Sequence, residues 1–388
     1  MMARLPLAGR RIHIAGSISP DPKIATKVDV EAARQLVEGL VRTLIKRGAN
    51  FVIPIDVDKR RDADAMPICF DWLVWQTLHA NLVRRPGDIA GPLAIAVQHY
   101  KTEDQIPEDQ AQLWDRLRDS PLVEVENAAQ WNMNSKRMEI QARSGDILIT
   151  LGGGEGVLYL ANLYHAAGKP VIPLDLPLTT DHEGARQLYR FGLQPAQAER
   201  LFRTNDDQNS HAWLNRIRFP ARQKVDERVN QFIELLEALE PPRAFAVRLL
   251  NNKHPDYRPV EDHFETVVRP IIEGELGYRL VVIDGEQAFD YPRVDQEIFE
   301  KLHRSRVVLA DITGGRPNCF LELGYAFGRA LPTMVMGRAG TDLPFDITTF
   351  SGLLWDDSLS LKERRDAFRT HWQAIRNRPP LVSPEPLI

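Results

Sequence analysis

The stretch RVVLADITGGRPNCFLELGYAFGRAL, residues 306–331, decides the fold class of this chain. Its apolar run Val307–Ala310 predicts a buried strand that ends at Asp311, and the glycines and proline that follow predict a turn. A helix is expected from about Asn318. Strand, acidic residue, glycine turn and helix in this order are typical of an open α/β sheet, which binds its ligand at the carboxyl ends of the strands.

The predicted helix carries an unusual polar stripe. At about 100° per residue, one narrow stripe contains Asn318, Glu322, Tyr325 and Arg329, and an apolar stripe lies beside it. Glu322 is therefore expected at the edge of the core, close to the carboxyl end of a strand. A carboxylate at this position is a candidate for chemistry.

Strands and helices alternate along most of the chain. Short apolar runs predict strands of a first series at residues 12–15, 50–54, 93–97, 146–151 and 170–173, and a second series follows the Pro241-Pro242 break. Alternating strands and helices imply a parallel, doubly wound sheet. We therefore predict two doubly wound, mainly parallel α/β domains: residues 1–222, a helical linker at 223–242, and residues 243–388.

Composition excludes several classes of protein. The chain has 388 residues, 43% hydrophobic and 26% charged, which is typical of a globular protein. Its net charge of −4 provides no broad basic surface, so we expect no direct binding of nucleic acid. Two cysteines, Cys69 and Cys319, provide no disulfide framework, and no apolar run approaches the roughly 20 residues that span a bilayer. We expect a cytoplasmic protein with no membrane partner and no metal site.

The pattern AD-x-T-x(4)-N-x(3)-ELGYA at residues 310–326, followed by LPFD at residues 343–346, resembles a known group of N-glycosidases. It is similar to the nucleoside 2-deoxyribosyltransferase-like and TIR-like family, over about residues 243–356. The resemblance implies a flavodoxin/TIR-like fold and an effector domain that hydrolyses NAD to nicotinamide and ADP-ribose. It implies NAD as substrate, no required cofactor, and Glu322 as the catalytic carboxylate at the anomeric carbon.

The residue chemistry agrees with this resemblance. Cleavage of a C–N glycosidic bond passes through an oxocarbenium-like state, which a carboxylate stabilises by charge or by covalent capture. Five residues are expected to contact the substrate: Asp311 and Asn318 at ribose hydroxyls, Tyr325 beside the base, Asp284 at the ribose, and Arg248 at a phosphate. Plainer alternatives are a turn cap for Asp311, a helix cap for Asn318 and a packing role for Tyr325.

A glycine loop marks the first domain. GDILITLGGGEG, residues 145–156, places glycines between a strand and a helix start, where backbone N–H groups form an anion site. The turn GSIS, residues 16–19, would add two serine hydroxyls. Together with SKRMEI at residues 135–140, the pattern resembles the SLOG superfamily, which includes lonely-guy phosphoribohydrolases, DprA-type proteins and sensors of nucleotide signals. The resemblance covers about residues 10–175 and implies a Rossmann-like sensor domain.

The first domain is expected to bind a nucleotide without cleaving it. Val157 stands where the hydrolase branch of the superfamily carries a threonine. Tyr159 stands where that branch carries the glutamate that acts on its nucleotide. Arg137 matches the family's arginine. The expected residues for binding a signal nucleotide are Gly16, Ser17, Ser19, Arg137, Gly153, Gly154, Glu155 and Gly156.

The two resemblances together predict a nucleotide-regulated NAD glycohydrolase, of the kind found in bacterial anti-phage defence. The first domain would bind the signal, the second would cleave NAD with Glu322, and the protein would act as a homo-oligomer or filament. One alternative is a nucleoside or nucleotide N-glycosidase, or a deoxyribosyltransferase, that leaves NAD untouched. Another is a non-catalytic nucleotide-binding regulator.

Overall fold

The computed structural model describes residues 6–87, 89, 91–99, 103–128, 134–206, 208–219, 223–283, 294–341 and 352–376. Its contacts divide the chain into two compact units, with the boundary between Glu240 and Pro241. Each unit has one parallel sheet with helices between its strands. The predicted fold class, two doubly wound and mainly parallel α/β domains, is confirmed.

The sheet of the first unit has six strands within the described residues. The strands are β1 (Arg11–Ser17), β2 (Asn50–Pro54), β3 (Ala94–Gln98), β4 (Val123–Asn127), β5 (Ile147–Gly152) and β6 (Val171–Leu174). The helices are α1 (Lys27–Lys46), α2 (Asp71–Ala80), α3 (Glu108–Arg118), α4 (Asn134–Ser144), α5 (Glu155–Ala166), α6 (Gly184–Gly192), α7 (Ala198–Leu201), α8 (Ser210–Arg216) and α9 (Val225–Ala238).

The strand order of this sheet, β4-β3-β2-β1-β5-β6, reverses at its centre. The chain moves outward from β1 through β2, β3 and β4, then returns to the other side of β1 with β5. An open sheet of this kind has its crevice outside the carboxyl ends of the two strands where the order reverses. In the first unit these strands are β1 and β5, and Ser17 pairs with Gly152 at that edge.

The burial of the central strands is typical of a parallel sheet. Every residue of β2, β3 and β5 is buried, as expected for strands covered by helices on both faces.

Thr26 caps α1 by accepting a hydrogen bond from the Asp29 N–H, and the apolar face of α1 is buried. Helix α9 packs along α1, so the predicted linker at residues 223–242 contains a helix of the first unit.

Two elements of the first unit were missed by the sequence analysis, α3 and β4. Strand β4 reads VEVEN and lies at the edge of the sheet, and no residue of it is fully buried. An edge strand with alternating glutamates has no continuous apolar run, which is the signal that revealed the other strands.

The sheet of the second unit has five strands in the described part of the chain. The strands are β7 (Arg243–Val247), β8 (Arg279–Val282), β9 (Val307–Asp311), β10 (Thr333–Arg338) and β11 (Leu353–Trp355). The helices are α10 (Tyr257–His263), which continues through π-helical turns at Phe264–Val268 and Pro270–Glu275, α11 (Val294–His303), α12 (Pro317–Gly328) and α13 (Leu361–Arg376).

The second sheet has the flavodoxin-like strand order β8-β7-β9-β10-β11. Its order reverses between β7 and β9, which pair in parallel from Ala244 with Val307 to Val247 with Ala310. The crevice of this unit is therefore expected at the carboxyl ends of β7 and β9. No helix within the described residues of either unit is long and apolar enough to cross a membrane.

Candidate functional site

Arg316 joins the two strand ends at the crevice of the second unit. Asp311 is the last residue of β9, and Gly314 and Gly315 then turn the chain with φ angles of +81° and +55°. The Arg316 guanidinium donates from Nη1 to the carbonyl oxygen of Arg248 at 2.7 Å and from Nη2 to the carbonyl oxygen of Asp311 at 3.3 Å. Because Arg248 directly follows β7, this side chain connects the two central strands at the switch point.

Asp311 is fully buried, and protein donors occupy its carboxylate. One oxygen accepts from the backbone N–H of Thr313 at 3.0 Å and the other from the Trp355 indole at 2.8 Å. Burial raises the pKa of Asp311, and the hydrogen bonds from Thr313 and Trp355 oppose that change. The side chain holds the turn after β9 and anchors β11, so the expected ribose contact would require it to exchange these partners.

Glu322 lies in the second turn of α12 and is half-buried. Burial raises its pKa, and the positive charge of Arg316 lowers it. No hydrogen bond or ion pair joins its carboxylate to any residue that the structure describes. Cys319, one turn earlier, is buried, and burial raises the pKa of its thiol to about 12. Glu322 is thus an available carboxylate beside an inert thiol.

The helix that carries Glu322 separates Asn318 from Tyr325. The helix begins at Pro317 with Arg316 as its N-cap residue, so Asn318 is not the cap. Asn318 lies in the first turn of the helix and is exposed. Tyr325 lies seven residues further along, roughly 10 Å along the helix axis. Its hydroxyl is 2.7 Å from His303 Nδ1, and its ring packs edge-on against Phe299 of α11. The structure thus places Tyr325 against α11 and away from the helix start.

Sequence reasoning missed His254 and Arg316 of this crevice. A Cβ atom on Gly314 would lie 3.2 Å from the His254 ring, so this imidazole borders the glycine turn. His254 Nδ1 accepts from the backbone N–H of Asp256 at 3.1 Å. The signal for Arg316 was its place directly before a proline at a predicted helix start.

Asp284, also expected here, lies outside the described residues, as does the LPFD segment.

The glycine loop of the first unit forms a tightly packed turn between β5 and α5. Gly152 and Gly153 have φ angles of +56° and +73°, and the N–H of Gly153 donates to the Ser17 carbonyl oxygen at 2.7 Å. Gly154 is the N-cap residue of α5 and supplies no side-chain cap. The first N–H groups of a helix without a side-chain cap favour an anion.

The other residues predicted for the signal nucleotide have different surroundings. Gly16 and Ser17 lie at the end of β1 beside Leu151 and Gly152 of β5, and Glu155 and Gly156 are exposed at the start of α5. Ser19 is buried, and its hydroxyl accepts from the Asp21 N–H at 3.2 Å. The strand pairing thus brings the ends of the GSIS turn and the glycine loop together.

Arg137 pairs with a carboxylate that the sequence analysis did not single out. It forms an ion pair with Asp56 at 2.6 Å and donates to the Ile55 carbonyl oxygen at 3.4 Å, just beyond the end of β2. The pKa of the nearby Asp71 is raised to about 7, mainly by burial and also by the charges of Asp56 and Asp58, while the charge of Arg137 opposes the increase. Arg137 therefore pairs with Asp56 and offsets part of the negative charge around Asp71. The described residues contain no group of histidine, cysteine or carboxylate side chains that would hold a metal ion.

The two units, each with a strand-order reversal, place the chain in the class of doubly wound α/β proteins, in which ligands generally bind at the carboxyl edge of the parallel strands. The model of a family described as "ATP nucleosidase Cap17-like, N-terminal" matches residues 7–236, more than half of the chain. The chain belongs to this family. Its description supports N-glycosidase activity in general. None of the curated proteins compared with the chain matches it.

Proposed function

We propose that this protein is a nucleotide N-glycosidase that cleaves its substrate at the β7/β9 crevice, with Glu322 as the catalytic carboxylate. The observation that carries the proposal is Glu322 itself, a half-buried carboxylate in the second turn of α12 with no hydrogen-bond or ion-pair partner among the described residues. Membership of a family named for nucleosidases supports the type of bond that is cleaved.

The proposed reaction breaks the bond between the anomeric carbon and a base nitrogen. The bonding electron pair leaves with the base, which takes up a proton where it leaves as an anion. Glu322 either stabilises the positive sugar until water adds to it or captures it as an ester that water hydrolyses, so water supplies the anomeric hydroxyl in both routes. The positive charge of Arg316 favours the ionised form of Glu322 that this role requires. The exposed amide of Asn318 is free to contact a ribose hydroxyl. The products are the free base and the ribosyl group with its phosphates.

NAD is the substrate that we propose, on the basis of the motif around Glu322 and its resemblance to N-glycosidase effectors. ATP is the second candidate, because the family that contains the chain is named for an ATP nucleosidase. Both substrates join a base to a ribose that carries phosphates. A deoxyribosyltransferase that leaves NAD untouched, and a regulator that binds nucleotides without cleaving them, are the competing functions.

The first experiment measures base release by the full-length protein. NAD and ATP are incubated separately, and free nicotinamide and adenine are quantified by chromatography. We expect Glu322→Gln and Glu322→Ala to lower turnover by on the order of 10²–10³-fold, since one electrostatic contact to the transition state is lost. Glu300→Gln is the matched control, because Glu300 is a half-buried glutamate of α11 that pairs with Arg304.

The outcomes separate the competing functions. Equal turnover by the wild type and both Glu322 variants would remove Glu322 from the mechanism. Transfer of the sugar to an added base, without net hydrolysis, would identify a transferase. Nucleotide binding with no release of base from any nucleotide would favour the non-catalytic regulator.

We further propose that the first unit controls this activity by binding a nucleotide-derived signal at the β1/β5 crevice. The uncapped start of α5 and the glycine turn support binding of a phosphate. Regulation requires the signal to bind the active assembly more tightly than the resting one. A homo-oligomer or filament is the expected active assembly, and depletion of NAD during phage infection is the expected biological role.

A further inference from the structure

Three buried guanidinium nitrogens beyond the ends of β7 and β9 have no hydrogen-bond acceptor among the described residues. They are Nε and Nη1 of Arg248 and Nε of Arg316, and none has a partner in the part of the chain that the structure describes. Buried polar groups of proteins are nearly always hydrogen-bonded, so donors without acceptors indicate an ion, a water or a ligand. Because these donors are cationic, an anion is the acceptor that they favour most strongly.

The two arginines lie together at the strand-order reversal. Arg248 follows β7, and the turn after β9 carries Arg316, whose Nη1 donates to the Arg248 carbonyl oxygen at 2.7 Å. The Arg248 guanidinium also lies over the Phe264 ring, 5.5 Å from its centroid. Phe264 is buried, so its aromatic face restricts the position of the guanidinium. This is the place in a parallel sheet where ligands bind.

Three other arginines of the second unit form ion pairs with carboxylates. Arg338 pairs with Asp256 at 2.6 Å, Arg369 with Glu275 at 2.7 Å and Arg364 with Asp262 at 3.4 Å. Neither Arg248 nor Arg316 forms an ion pair with a carboxylate among the described residues. A half-buried positive charge with no carboxylate within ion-pair distance is costly to desolvate, and a bound phosphate at Arg248 would offset that cost.

We infer that Arg248, supported by Arg316, binds a phosphate or pyrophosphate group of the substrate, so that the enzyme acts on nucleotides and discriminates against free nucleosides. The inference rests on the proposed glycosidase function and assigns the residues that would bind the phosphates of its substrate. A planar guanidinium binds two phosphate oxygens at once, which fixes the position of the attached sugar. Arg316 is also close enough to Glu322 to influence its charge, so one side chain links the anion subsite to the catalytic carboxylate.

The kinetic test compares each nucleotide with its nucleoside: ATP with adenosine, and NAD with nicotinamide riboside. We expect Arg248→Ala to lower kcat/KM for the nucleotide by about 10–100-fold, the loss typical of a charged hydrogen bond, and to leave the nucleoside value unchanged. The kcat/KM of Arg248→Lys for the nucleotide should lie between those of the wild type and Arg248→Ala. Lysine keeps the positive charge but lacks the planar pair of N–H donors that binds two phosphate oxygens. Arg304→Ala is the control, since Arg304 pairs with Glu300 on α11.

A binding test does not depend on turnover. Thermal unfolding of the full chain is followed with inorganic pyrophosphate as the probe, for the wild type, Arg248→Ala and Gly154→Asp. We expect the pyrophosphate shift of the second unit to disappear in Arg248→Ala and to persist in Gly154→Asp, which alters only the first unit. Should Arg248→Ala fail to fold, Arg248→Lys and Arg248→Met supply the comparison.

The two proposals fail in different ways. Base release with the same nucleotide preference in the wild type and Arg248→Ala would overturn the anion subsite and leave the glycosidase function standing. A pyrophosphate shift that depends on Arg248, without base release from any nucleotide, would support the subsite and remove the function. A shift lost only in Gly154→Asp would overturn the subsite, because it would place all the pyrophosphate in the first unit.

Discussion

At the scale of single residues, the charge of Glu322 depends on two opposing effects. Burial favours the protonated acid and raises the pKa, whereas the guanidinium of Arg316 favours the carboxylate and lowers it. The net pKa lies above the ordinary value of a glutamate, about 4.3. The proposed role needs the ionised form, so the balance between these effects sets the pH range of activity.

We predict that activity falls as the pH decreases through the raised pKa of Glu322, with an acid limb at higher pH than an ordinary glutamate would give. Replacing Arg316 by Gln removes the effect that lowers this pKa, so the acid limb should move to higher pH. The measurement is kcat/KM against pH for wild type and Arg316→Gln. A limb at the same pH in both proteins would show that Arg316 does not set the charge of Glu322.

Among the elements of the first unit, the turn at the carboxyl end of β5 depends on close contact between two segments of backbone. Gly184 begins α6 with a φ angle of +49°, and a Cβ atom there would lie 2.2 Å from the carbonyl oxygens of both Gly152 and Gly153. No side chain can occupy this position without moving the glycine loop. The shape of the proposed phosphate site therefore depends on Gly184, which lies 28 residues after Gly156, the last residue of the glycine loop.

We predict that Gly184→Ala destabilises the first unit by roughly 1–3 kcal/mol of backbone strain, with a further cost from the clash. Chemical denaturation of the full chain measures the change. Gly87→Ala is the matched control, because a Cβ atom at Gly87 meets no other atom within 4 Å. Its stability should change by no more than about 0.5 kcal/mol. Equal stability of wild type and Gly184→Ala would mean that the loop adapts without strain.

In the whole molecule, each of the two units has its own parallel sheet with its own strand-order reversal within the described residues. The family match covers the first unit, whereas the proposed catalytic carboxylate belongs to the second. The division of labour that we propose, with a sensor first and a glycosidase second, can therefore be tested by altering one crevice at a time.

We predict that Gly154→Asp removes the response to an activating nucleotide and preserves basal turnover. An aspartate at the start of α5 would place a negative charge where the proposed phosphate binds. Base release with and without a panel of nucleotides measures the effect. A first-unit variant with no basal turnover, despite wild-type stability, would indicate that this crevice performs the chemistry.

Much of the fold could be predicted because its signals are local. The strand expected at residues 50–54 is observed there, and the helix expected from about Asn318 begins at Pro317. Buried parallel strands have continuous apolar runs, and helices have an apolar stripe. The edge strand β4 had neither signal. Partners of polar side chains could not be predicted, because Arg137 and Asp56 are distant in sequence and meet only in the folded sheet.

Local sequence patterns were sufficient to predict the alternation of strands and helices, the two glycine turns and the position of Glu322 on α12, since these depend on residues within a few helical turns. Tertiary structure alone decided that Trp355 and Thr313 occupy the Asp311 carboxylate and that Tyr325 contacts His303. It also left the buried nitrogens of Arg248 without an acceptor among the described residues. The physical reason is that hydrogen bonding and desolvation depend on which strands become neighbours, and strand order is a property of the whole sheet.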